Sequence, residues 1–372
     1  MKQTPSFSLR RLALFAMATI ACASLPGSSG AAPLVRLAQQ YPQQQSQQQQ
    51  SQQQQPKEQA GARPQVSNDE LQEGKKVEAA NDATSRLQAA GEFVKKYPKS
   101  SLMDTVAKLV AAKIAETQDP AQKATFCETF LTVFKEPAQA KLIYPVEVEA
   151  YVKANKPNDA LRVAGIALKE NPDDVMLLSN MVSLGLEQIK RGDRNYVGPV
   201  QQYGAKAVEL IEADKKPADL NDTSWADYKT KVLPQIYQSL GLVALMQEKS
   251  DEAKPKLEKA IQLNPSDAFS YYLLGSISDN EYQTSYQKYK GMLPGGDRDA
   301  TLKKALEQMD QTIDLFAHAV ALSEGNPQTQ ALHDKALQDL QLYYNYRHKD
   351  KGPAGMQELI NKYKRPAASS SD

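Results

Sequence analysis

Three histidines, two cysteines and one glycine-rich turn are the raw material from which this 372-residue chain would have to build chemistry. His318, His333 and His348 form neither the His-Glu-x-x-His helix nor the His-x3-His pair that brings two imidazoles to one metal. Each is expected to pack in a core or lie on a polar helix face. No Cys-x2-Cys occurs. Cys127 sits within TFCETFLTVF, an apolar helical run, where a thiol is buried rather than activated by a base. Pro294-Gly295-Gly296-Asp297 lacks the Lys-Ser/Thr of a phosphate loop and follows no strand, so it reads as a turn between helices. Asp173 and Asp174 follow Pro172 and read as helix N-caps, not calcium ligands. The sequence therefore predicts no catalytic, cofactor or metal site, and the chain is read as not an enzyme.

Bulk properties exclude other classes. The balance of 45 basic and 44 acidic residues leaves a charge of +1, with none of the basic excess that nucleic-acid binding requires. Lys2, Arg10 and Arg11 precede the apolar run Leu12–Ile20, which is too short to cross a bilayer, and small residues follow. This is a secretory signal, with cleavage expected after Ala31 or after Ala23. Cleavage after Ala31 leaves 42 basic against 44 acidic residues, a mature charge of −2. Ala21-Cys22 also resembles a lipid-attachment site, but Thr19 stands where such sites carry leucine. If Cys22 leaves with the signal, Cys127 has no disulfide partner within the chain. Gln39 to Gln55 is almost pure glutamine, flanked by Pro33, Pro56 and Pro64. Such a segment buries too little apolar surface to fold. As a coil, residues 32–66 would span roughly 30–35 Å.

From Asn68 onward apolar residues recur every three or four positions, the period of an amphipathic helix. Breaks fall at Tyr97-Pro98, Asp119-Pro120, Glu136-Pro137, Asn171-Pro172, Asn264-Pro265, Pro294 to Gly296, Asn326-Pro327 and Gly352-Pro353. Their spacing fits pairs of helices. The clearest unit runs from about Pro234 to Asp267. It carries Tyr237, Leu240, Gly241, Ala244, Ala253, Leu257, Ala260 and Pro265. Tyr144, Tyr151, Ala160, Ala164, Ala167 and Pro172 keep matching offsets, and Tyr271, Leu274 and Gly275 repeat Tyr237, Leu240 and Gly241 one 34-residue period later. A degenerate unit begins near Val175 and resumes near Tyr203, with residues 191–199 read as an enlarged loop. In the unit carrying Gly275 the second helix is expected to be delayed by an insertion after Tyr282, spanning about Leu306 to Leu322. FVKKYPKS, ending at Ser100, reads as another second-helix end.

These offsets resemble the tetratricopeptide repeat, a helix hairpin of 34 residues. The resemblance implies an all-α, irregular right-handed α-solenoid over residues 67–365, after a signal (1–31) and a disordered linker (32–66) and before a short tail (366–372). It implies that Gly241 and Ala253 are small because the hairpin's two helices touch there. It also implies a concave groove lined by first-helix positions. In this chain those are Gln235, Gln238, Leu242, Leu245 and Met246, then Phe269, Tyr272, Ser276, Asp279 and Asn280. This lining lacks the clustered Lys and Arg with which some repeat domains clamp a terminal carboxylate. Tyr282, Tyr286 and Tyr289, with Tyr343, Tyr344 and Tyr346, are expected to serve mainly in helix packing. The expected function is a protein- or peptide-binding scaffold in the bacterial envelope, periplasmic or extracellular, with no transmembrane span. The alternatives are a self-assembling structural component and a small-ligand carrier.

Overall fold

The computed structural model describes residues 66–218 and 220–364. The expected signal, the tail and all of the linker but Val66 lie outside the described residues. Among the described residues every regular element is a helix, and none is long and apolar enough to cross a membrane.

The prolines set the frame. A residue before proline is pushed out of the helical region, so a helix stops there. Tyr97, Asn171 and Asn264 each take that position with φ near −130°, and each amide donates back into its helix, to the carbonyls of Phe93, Ala167 and Ala260. A turn then closes in the same way at four sites. Ser100, Asp174, Asp267 and Thr329 donate their amides to the carbonyls of Tyr97, Asn171, Asn264 and Asn326, the turn that proline at its second position favours. Three of the chains leaving these turns are capped by their own side chains. Asp174 Oδ1 accepts from the Leu177 amide at 3.0 Å, and Asp267 Oδ1 accepts from Phe269 and Ser270. Asn326 Oδ1 accepts from the Gln328 amide at 3.0 Å.

The chain forms two compact units that divide within one helix, between Asn180 and Met181. The first holds α1 (Asn68–Ala79), α2 (Ala83–Lys96), α3 (Met103–Ala115), α4 (Pro120–Val133), the single turn α5 (Pro137–Ala140), α6 (Tyr144–Lys153), α7 (Pro157–Glu170) and the start of α8 (Val175–Lys190). Pro120, Pro137 and Pro157 each open a helix, where the missing N–H costs nothing. Phe93, Ile114, Cys127, Phe130 and Ile143 are fully buried in its core, each large side chain contributing about 1.5–3 kcal/mol.

The second unit holds the rest of α8, then α9 (Val197–Glu212), α10 (Asp222–Met246), α11 (Ser250–Leu263), α12 (Ala268–Lys290), α13 (Gly296–Ser323), α14 (Gln330–Arg347) and α15 (Gly352–Tyr363). From α9 to α14, each helix packs against the next in sequence, the contact pattern of a solenoid. The turns inside the hairpins are alike too. Asn155 and Glu248, 93 residues apart like Pro172 and Pro265, both adopt positive φ. The amide after each reaches back five residues, from Lys156 to Tyr151 and from Lys249 to Ala244, which satisfies the last helical carbonyls.

The expected small contacts are real. A Cβ on Gly241 would lie 2.6 Å from Leu257 of α11, and one on Gly275 would lie 2.7 Å from the Phe316 ring of α13. Three expectations on element limits are corrected. Residues 191–199 are no enlarged loop, because α8 runs to Lys190 and α9 starts at Val197. Pro199 sits in the first turn of α9, where no backbone donor is required. The first helix of the clearest unit begins at Asp222, not near Pro234, and carries that proline inside it. The second helix of the unit carrying Gly275 begins at Gly296 rather than near Leu306, and the insertion after Tyr282 is itself largely helical. It lengthens both partners, α12 to 23 residues and α13 to 28. At the far end, α15 folds back across α13 and α14. Gly355 makes room for the Tyr344 hydroxyl there, 2.5 Å from where a Cβ would stand. His318 of α13 stacks between Tyr271 of α12 and Tyr363 of α15, with ring centroids 4.5 and 3.4 Å away.

Candidate protein-binding surface

The ten groove positions divide by burial. Leu242 and Leu245 of α10, and Tyr272, Ser276 and Asp279 of α12, are buried. Gln235 is exposed, and Gln238, Met246, Phe269 and Asn280 are half-buried. Gln238 donates through Nε2 to Asp267 Oδ2 at 2.6 Å, which ties the α10 row to the turn that opens α12.

Two of the buried members, Tyr272 and Asp279, meet α14. Tyr272 donates to Asp339 at 3.2 Å, and Lys335 also donates to Asp339. Tyr343 donates to Asp279, which also accepts from Gln283 at 3.3 Å. Burial raises both carboxyls above the ordinary range. The Tyr343 and Gln283 hydrogen bonds oppose this at Asp279, and Lys335 opposes it at Asp339. Burial also raises the Tyr272 and Tyr343 hydroxyls, which keeps both as donors. The network fixes α12 against α14, so Tyr272 and Asp279 act as struts beneath the surface rather than as its face.

Of the tyrosines read as packing residues, Tyr282, Tyr343 and Tyr344 are buried. Tyr286 and Tyr289 are half-buried, and Tyr346 is 46% exposed. Tyr282, Tyr286 and Tyr289 stack in sequence at centroid distances of 5.6 and 5.8 Å.

Sequence reasoning missed one chemical feature of the first unit. Glu147 and Glu149 of α6 are buried. Glu149 accepts from Lys153, but Glu147 Oε2 has no hydrogen-bond partner. Burial pushes the Glu147 carboxyl up to about 7, with Glu128 and Asp159 adding to the rise and Arg162 opposing it. Lys123 is buried on α4 and donates to the Ala115 carbonyl at 2.8 Å, and burial lowers its pKa. Cys127 is buried and its thiol is raised by the same cause, so it is a poor nucleophile. Among the described residues no cluster of His, Cys, Asp and Glu is placed to hold a metal.

No family model matches the chain, and no curated protein matches it. Among solved structures, the chain is similar to a tetratricopeptide repeat protein from Parabacteroides merdae ATCC 43184. The identity is 12%, the match covers 74% of this chain and 98% of the other, and the TM-score is 0.31. It is also similar to two structures of MamA. One is 18% identical over 61% of this chain and 97% of the other, with a TM-score of 0.29. The second is 19% identical over 58% and 97%, with a TM-score of 0.27.

Proposed function

We propose that the chain is a non-catalytic, exported scaffold of the bacterial cell envelope that holds a segment of a partner protein on the first-helix rows of its C-terminal unit. One observation carries this reading. Gln235, Gln238, Met246, Phe269 and Asn280 keep accessible surface on α10 and α12, while Leu242, Leu245, Tyr272 and Asp279 beneath them are locked. Rows held on such a base lose little further freedom when a partner docks, which is where rigid binding surfaces gain affinity. Amide side chains beside Met and Phe suit an extended or helical peptide with mixed polar and apolar contacts.

The test is photo-crosslinking in cells. A benzoylphenylalanine at Gln235 or Phe269 is expected to give a discrete adduct that Met246→Glu abolishes, while the same probe at Lys249, in the hairpin turn, gives none. Absence of an adduct from every row position refutes the reading. Export is tested separately by N-terminal sequencing of the mature protein, expected to begin at Ala32 or Ser24. An intact Met1 in the recovered protein refutes export.

A further inference from the structure

The lengthened hairpin of α12 and α13 carries a surface that the groove reading does not use. The first helix of the preceding hairpin ends at Met246, and one 34-residue period later is Asn280. α12 runs on to Lys290, and its last two and a half turns bear Tyr282, Tyr286 and Tyr289. Tyr346 of α14 lies close to Tyr286 and joins this strip. The outer three rings each carry a cation. Lys290 Nζ lies 5.4 Å from the Tyr286 centroid, Arg298 Cζ 4.4 Å from that of Tyr289, and Lys349 Nζ 5.9 Å from that of Tyr346.

Most lysines and arginines that make side-chain contacts in this unit face a carboxylate, as Lys254 faces Glu281, Lys229 faces Asp214 and Arg347 faces Asp310. Lys290, Arg298 and Lys349 have no such ion pair among the described residues. Arg298 is the most constrained of them. Its Nη2 donates to the Tyr289 hydroxyl at 3.2 Å, yet its Nε is buried and has no hydrogen-bond partner. A guanidinium held over a ring, with no carboxylate of the described residues paired to it, is arranged to receive one on its outer nitrogens. Beside it in the turn before α13, Leu293 is 87% exposed, an apolar contact with nothing yet to cover.

We propose that this tyrosine strip with Lys290, Arg298 and Lys349 is a docking surface for an acidic peptide segment, whose carboxylates pair with the three cations and whose apolar side chains lie on the rings and Leu293. The proposal rests on the scaffold reading and names the chemistry of a partner segment, on a surface separate from the Gln235–Asn280 rows.

The experiment uses the full mature chain and labelled hexaglutamate, hexalysine and hexaserine peptides, followed by fluorescence anisotropy. Hexaglutamate is expected to bind, and the others not. The triple variant Lys290→Gln/Arg298→Gln/Lys349→Gln should lose at least about tenfold in affinity, the equivalent of 1.4 kcal/mol. Tyr289→Leu, which keeps every charge but removes the shelf under Arg298, should lose a comparable factor. The control Lys256→Gln/Lys259→Gln/Lys303→Gln removes the same net charge elsewhere and should bind as the parent does. Circular dichroism confirms that each variant is folded. Equal losses in the control triple, unchanged binding by Tyr289→Leu, or preference for hexalysine each overturn the proposal. If crosslinking from the Gln235 row still captures its partner in such a case, this inference falls alone. If no partner is captured anywhere, the scaffold reading falls with it.

Discussion

Replacing Glu147 by glutamine should stabilise the first unit at alkaline pH and leave it nearly unchanged at acidic pH. Glu147 is 2% exposed, and its Oε2 lacks a partner. In the unfolded chain the carboxyl titrates near 4.5, and in the fold near 7. A group whose folded pKa is raised contributes fully below its unfolded pKa, and that contribution is lost as pH rises through the folded value. Between pH 4.5 and 7 the parent must therefore lose stability, because ionising the folded state places an unpaired charge against α4 and α7. At 1.36 kcal/mol per pKa unit the loss amounts to about 3 kcal/mol. The glutamine of a Glu147→Gln variant carries no proton to lose, so the variant should escape the penalty. Denaturant unfolding of both proteins, followed by far-UV circular dichroism at pH 4 and pH 8.5, measures the difference. Near-coincident midpoints at pH 4 and a variant more stable by about 3 kcal/mol at pH 8.5 are expected. Equal pH slopes in the two proteins would show that Glu147 finds a cation or water in solution, and the argument from burial would fail.

Two further outcomes follow from packing. Gly241→Ala places a Cβ 2.6 Å from two atoms of the fully buried Leu257 and should cost about 1–3 kcal/mol in a denaturant titration. Part of that should return on adding Leu257→Val, which draws side-chain bulk back from the clash, and the absence of any cost would place α10 and α11 further apart than described. In a Cys22→Ser chain, the buried Cys127 should react with a thiol reagent only after denaturant is added, and prompt labelling of the folded protein at pH 8 would contradict its burial and raised pKa.

The elements the sequence revealed were those fixed by local stereochemistry. A residue before proline at the end of an apolar-periodic run is pushed out of the helical region, so the ends at Tyr97, Asn171 and Asn264 were legible in advance. Leu-Gly pairs were legible because only a residue without a side chain fits against Leu257 or Phe316. The misread limits share one cause, which is that a breaker's effect depends on its place. Pro199 is harmless in a first turn, and Pro234 is tolerated within a long, well-packed α10. The turns beyond Tyr282 looked like an insertion because their pattern answers to the lengthened α13 rather than to the 34-residue period. Of the ten groove positions, five lie buried. The offset from a repeat names the helix face but not whether a later helix, here α14, covers it. Glu147 was invisible for a related reason, since nothing in YPVEVEAY says which carboxylates α4 and α7 will enclose.

The helix folded back over α13 and α14 bears on growth. A stack of hairpins has an open end that a further hairpin, from the same chain or another, could extend, and a fibre is what unlimited extension produces. Here Gly355 against Tyr344, and Tyr363 closing the stack over His318, occupy the faces such an addition would use. α15 thus covers those faces. Deleting it would bare the faces of α13 and α14 that it covers.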